Sequence, residues 1–157
     1  MEVNVLVDEE FEGELEAGWL QGVAEQVLAA ESAAPETELG LVITGQERIQ
    51  ELNLVHLGID EPTDVLAFPM TPEEDSGMPE FVTPPDGSVH LGEVIISFPQ
   101  AFIQAEEHMH PVRKEVALLI IHGVLHLLGY DHDAPEREQQ MRTREAEILE
   151  LIEEQGW

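Results

Sequence analysis

The sequence contains no cysteine, which excludes a disulfide framework, a thiolate metal site and a cysteine nucleophile. Any metal here must be held by histidine and carboxylate. Basic residues are almost as scarce. Six stand against thirty-four acidic ones, for a formal net charge of −28. Five of the six are arginine (Arg48, Arg113, Arg137, Arg142 and Arg144), with Lys114 the sixth. There is no membrane-length apolar run either: the longest tract, "VALLIIHGVLHLLGY", is too short to span a bilayer and carries two histidines. The start, "MEVNVLVDEEFEGELE", lacks the basic segment of a secretion signal. These absences lead us to expect a cytoplasmic protein without a membrane partner.

What is present suffices for a folded domain. Apolar residues make up 43% of 157, enough to bury a core, and we expect one domain over 1–157. So acidic a surface repels phosphates in dilute salt. It reads as that of a salt-adapted protein, because at about 1 M salt the Debye length falls to ~3 Å and the repulsion is screened.

Along the chain, "VNVLVD" reads as a first strand. Leu15, Trp19, Leu20, Val23, Val27 and Leu28 recur at helical spacing within about Glu12 to Ser32. "ELGLVIT" (38–44) is a second strand, and Thr44 with Glu47 forms the pattern of a capping box for a helix from Gly45 to His56. "DVLAFPM" (64–70) and "HLGEVIIS" (90–97) are strands that can pair across a mobile, acidic, proline-rich loop at 71–88. Pro99 and Pro111 sit where helices open. A last helix, Pro135 to Glu154, presents Met141, Glu145, Ile148, Leu149 and Ile152 on one side. The expected fold is α+β, a mixed sheet of about four strands packed with about five helices.

The chemistry concentrates in "HGVLHLLGYDH" (122–132). His122 and His126, four apart on a helix, project from one face one turn apart. Gly129 can adopt positive φ, end the helix and let the chain return His132 as a third ligand. Three nitrogen ligands with an open fourth position describe a catalytic zinc site, at which bound water reaches a pKa near 7. The spacing is that of the metzincin protease clasp, but Gly123 stands where the protease has its general-base glutamate. Carboxylates commonly orient such histidines. Asp131, Glu93 and Asp64 are the candidates, with Asp131 preferred, for orientation or proton transfer, because it adjoins His132. His56, His90, His108 and His110 have no recruiting spacing and read as surface or loop residues.

Taken together, these segments resemble the YbeY-type endoribonucleases, or rRNA maturation factors. "HGVLHLLGYDH" is similar to the family's H-G-x-L-H-L-x-G-Y-D-H signature. "LN" at 52–53 with "PTDVLAFP" at 62–69 is similar to its L-N and P-T-[DN]-V-L-S-F-P blocks, and "LGEVIIS" (91–97) to L-G-D-I-x-I-S. "QA" (104–105) follows, and Met141 and Glu145 match its M-x-x-x-E. The resemblance implies a metal-dependent hydrolase with one zinc ion on His122, His126 and His132, in a metzincin-like site. It implies cleavage of single-stranded RNA, with an rRNA precursor and the small ribosomal subunit as partners and no DNA, in rRNA maturation and ribosome quality control. Leu57 departs from the family arginine that follows L-N, and leucine cannot meet a phosphate. Ala67 and Glu93 replace the family's serine and aspartate.

RNA carries its own 2′-hydroxyl, and a metal can act as Lewis acid on a phosphoryl oxygen. A missing glutamate is therefore tolerable in a nuclease and counts against a peptidase. Arg113 and Lys114 form a local basic patch for a phosphate. The alternatives are a non-catalytic, zinc-containing ribosome-assembly factor, for which Leu57 speaks, and a metallopeptidase.

Overall fold

The computed structural model describes residues 2–69, 89–130 and 134–154. The loop expected over 71–88 and the candidates Asp131 and His132 lie outside them.

The observed elements follow the expected order. They are β1 (Glu2–Val7), a 3-10 turn (Glu9–Phe11), α1 (Ala17–Ala30), β2 (Thr37–Thr44), α2 (Gln46–Leu57), β3 (Val65–Pro69), β4 (Val89–Ser97), α3 (Phe98–Glu107), α4 (Val112–Leu127) and α5 (Pro135–Glu154). One four-stranded sheet runs β1-β2-β4-β3. β1, β2 and β4 are parallel, while β3 closes the edge antiparallel to β4, which is the pairing expected from the sequence. The fold is α+β, and among the described residues no helix is long and apolar enough to cross a membrane.

Alternation along the strands assigns the two sheet faces. Leu39, Leu41 and Ile43 of β2 join Val94 and Ile96 of β4 in the main core. Val23 and Val27 of α1, Val116, Ile120 and Val124 of α4, and Met141, Ile148 and Ile152 of α5 pack there too. Ile95 and Leu66 point the other way, against Ile49 of α2, with Val42, Leu52 and Phe68 around them. Each fully buried aliphatic side chain contributes roughly 1.5–3 kcal/mol, so α4 is a principal stabiliser. Nine of its sixteen residues are buried, as an all-round apolar helix requires.

Two local expectations fail. The first helix begins at Ala17 rather than Glu12. Leu15 falls on the helical period but is buried from a turn, where Gly13 lowers the tendency to continue a helix. The capping box does not form, because the Thr44 hydroxyl donates to the Asp8 carboxylate instead. Gly45 takes the N-cap position of α2 without a side-chain bond. Ser97 does cap α3, its Oγ accepting from Gln100 N at 3.3 Å.

Candidate metal centre

α4 carries His122 and His126 on its last turns and stops where the glycine was expected to stop it. Gly129 has φ +109°. Gly129 N donates to His126 O at 3.1 Å and Tyr130 N to Leu125 O at 3.0 Å. That pair of bonds is the Schellman closure, which satisfies the last carbonyls of the helix.

A carboxylate meets the first histidine from α5. Met141, Ile148 and Ile152 bury one stripe of α5 in the core. Glu145, four after Met141 and three before Ile148, lies along that stripe. Its Oε2 is 2.6 Å from His122 Nδ1. A carboxylate at this distance holds the proton on Nδ1 and leaves the Nε2 lone pair for a metal. The same bond raises the His122 pKa above its ordinary value. Burial opposes the rise, and the charges of Glu145 and then Asp64 add to it. Asp64, at the start of β3, shares with His122, Glu145, Val65, Leu118 and Leu119 a cleft of about 210 Å³. Its Oδ1 also accepts from Val65 N at 2.7 Å, which fixes its direction.

Gly123 has a packing reason. A Cβ there would lie 2.7 Å from Val94 Cγ1 and 3.0 Å from Cγ2. The position at which a protease carries its base therefore faces β4. Any side chain would be driven into the sheet.

Of the three carboxylates considered from sequence, Asp64 is drawn into the site and Asp131 lies outside the described residues. Glu93 is on the wrong side. It neighbours Val94, which packs under α4, and strand alternation turns it to the opposite face, over Gly40. Glu145 was missed as the histidine's partner, because a glutamate among a helix's core positions looks the same whether it meets solvent or imidazole. The M-x-x-x-E match was its only signal.

The proposed basic patch is already engaged. Arg113 lies over the Trp19 ring at 5.2 Å, and Lys114 Nζ is 4.0 Å from Glu153. Arg142, itself paired with Glu138 Oε1 at 2.7 Å, stands nearer the first histidine. Arg142 lines a cleft of about 190 Å³ with His122 and Glu145, and Arg137 lines another with Gly129 and Tyr130.

Among the other histidines, His56 is exposed and lies against Phe68, ring centroids 4.6 Å apart and planes tilted by 42°. His90 Nδ1 is 3.5 Å from Glu38 Oε2. His108 and His110 lie in a loop, as expected, with His108 exposed. They sit at the α3–α4 junction, but both converge on buried Glu115, and the three form a group able to hold a metal, with ligand atoms within 4.8 Å of one another.

The family model described as Endoribonuclease YbeY matches residues 6–153. A protein named Endoribonuclease YbeY from Dehalococcoides mccartyi is 48% identical over 157 residues, covering 98% of this chain and 91% of its own. Proteins of the same name from Roseiflexus sp. and Brevibacillus brevis are 38% and 41% identical. They cover 96% and 85% of this chain, and 92% and 87% of their own. Among solved structures, that of TM1509 from Thermotoga maritima aligns over 98% of this chain and 93% of its own at a TM-score of 0.58. At 22% identity, this last likeness speaks for the fold alone.

Proposed function

Because the chain belongs to the YbeY endoribonuclease family, we propose that it is a zinc-dependent hydrolase that cuts single-stranded RNA during maturation of small-subunit ribosomal RNA. The observation that carries this reading is the His122–Glu145 pair at 2.6 Å beside a second histidine one helical turn on. Imidazoles fixed in this way suit zinc, and other borderline ions such as nickel, copper and cobalt, better than magnesium. His122, His126 and His132 would hold one ion, with Asp131 beside it to orient or to move a proton. The ion supplies Lewis acidity towards a phosphoryl oxygen and acidifies water.

The chain's own residues do the rest. Glu145 keeps the His122 proton on Nδ1. Asp64 and Glu145 set a negative rim on the cleft, and Arg142, paired with Glu138, brings a cation to the α5 side, where a phosphodiester needs one. Gly123 packed on Val94 leaves no room for a protease-type glutamate, which disfavours a peptidase. One observation favours a second reading, a non-catalytic ribosome-assembly factor. Leu57, where the family has arginine, is 57% exposed and offers only hydrocarbon.

The test is incubation of zinc-loaded protein with single-stranded and duplex RNA at low and multimolar salt, with His126→Ala and metal content measured alongside. Cleavage of the single strand that His126→Ala abolishes is the expected result. Metal bound without cleavage at any salt would replace the nuclease by the assembly factor.

A further inference from the structure

The junction between α3 and α4 holds a constellation that the histidines of the first centre do not use. α3 ends in a Schellman closure, with His110 N donating to Ala105 O at 3.1 Å and Met109 N to Glu106 O at 3.2 Å. The left-handed position of that turn, which favours glycine, is filled by Met109 at φ +57°. Its side chain is 91% exposed, so no packing of the methionine offsets the unfavourable backbone. The turn does bring the residues on either side of Met109 back over the first turn of α4. His108 Nδ1 and His110 Nε2 reach the same oxygen, Glu115 Oε1, at 3.0 and 2.7 Å. The other oxygen, Oε2, accepts from Gln104 Nε2 at 2.8 Å.

We infer that His108, His110 and Glu115 form a second metal site, one that takes a divalent first-row transition ion of the zinc, cobalt or nickel type. Two imidazoles and one carboxylate are a zinc donor set, and they leave a fourth position for water. Around an ion with bonds of about 2.0–2.1 Å, neighbouring donors stand roughly 3.3–3.4 Å apart. The two separations to Glu115 Oε1 need to open by only about half an ångström for an ion to stand between the imidazoles and the carboxylate, each imidazole then carrying its proton on the other ring nitrogen. Gln104 holds the carboxylate from behind, as outer partners of metal ligands do. The Glu115 side chain is 5% exposed and that of His110 16%, while that of His108 is 57% exposed. Two ligands are thus preorganised and dry, and the third leaves the site open to exchange with solvent. Burial raises the Glu115 pKa, but hydrogen bonds from His108, Gln104 and His110 outweigh it and leave the carboxyl below its ordinary value. The carboxylate therefore stands ready as an anion. Glu115 and His122 are seven residues apart on α4, a rise of roughly 10 Å, so the two centres are separate. An ion here would tie the end of α3 to the start of α4, the helix that carries His122 and His126.

The experiment uses tag-free, metal-stripped full-length protein carrying His122→Ala and His126→Ala, titrated with Co²⁺ and Zn²⁺. Calorimetry gives the stoichiometry and visible absorption reports cobalt coordination. We expect this variant to bind one equivalent, with a rise in Tm on adding zinc but not magnesium. We expect that equivalent to vanish when His108→Ala is added; His108 is exposed, so folding survives, as circular dichroism would verify. Gln104→Leu should weaken binding roughly 10-fold while keeping the stoichiometry. Absence of metal binding by the His122→Ala, His126→Ala protein would overturn the inference. So would an equivalent that persists unchanged after both His108→Ala and His110→Ala.

Discussion

Gly123 offers the sharpest test of how α4 is seated. A methyl group added at this position would stand 2.7, 3.0 and 3.4 Å from Val94 Cγ1, Cγ2 and Cβ. Carbon atoms reach their optimal contact at about 3.5–4.0 Å, so the helix or the strand must move by roughly 0.8 Å. Val94 is fully buried in the core, so any shift must displace its neighbours. Overpacking of this kind costs about 1–3 kcal/mol. Replacing glycine by alanine within a helix returns about 1 kcal/mol. Gly123→Ala should therefore lower stability by about 1 kcal/mol, read from urea unfolding of metal-free protein at fixed ionic strength. Gly123→Glu, which restores the protease letter, forces a carboxylate against the sheet and should cost more than about 4 kcal/mol. The decisive measurement is the double-mutant cycle with Val94→Ala. Removing both Cγ atoms clears the clash, so Gly123→Ala becomes stabilising in that background, with a coupling of about 1–2 kcal/mol. Coupling within about 0.5 kcal/mol of zero, or a Gly123→Ala protein as stable as the parent, would refute the close approach of α4 to β4.

Other substitutions probe the site and its frame. Glu145→Gln removes the charge that holds His122 Nδ1–H and should weaken zinc binding at that centre by about 10–100-fold, measured by competition with a chelator; unchanged affinity would dissociate Glu145 from the metal. Leu57→Arg, at an exposed helix end, should change stability by no more than about 0.5 kcal/mol and raise RNA cleavage at low salt. No gain in rate would mean that Leu57 does not limit turnover. Arg144 pairs with Glu31 through Nε while its Nη2 donates to Ala30 O at 2.7 Å, at the end of α1. Arg144→Lys cannot span both acceptors and should cost about 1–2 kcal/mol in thermal or urea unfolding, whereas an unaltered midpoint would make that clasp ornamental.

Hydrophobic period and punctuation carried much of the architecture. The strands of β2 and β4, the proline-opened α3 and α4, the stop at Gly129 and the long amphipathic α5 were all legible, because each rests on residues close in sequence. The helical pair His122 and His126 was legible for the same reason, since i and i+4 share a face whatever surrounds them. What depends on distant residues was not. Whether Thr44 caps a helix or bonds Asp8 is decided by β1 lying beside β2. Glu93 and Asp64 are equivalent as letters, and only the register of β4 turns one away from α4 while β3 brings the other to it. Gly123 looked like a deleted catalytic base until the packing of α4 on Val94 supplied a steric reason. The gathering of His108, His110 and Glu115 needed both the turn at Met109 and the burial of α4. The sequence by itself thus determined the elements and the placing of His122 and His126 on one helical face. Tertiary structure decided which carboxylate meets which histidine, because contacts between elements are set by how whole faces pack and leave no local signature in the chain.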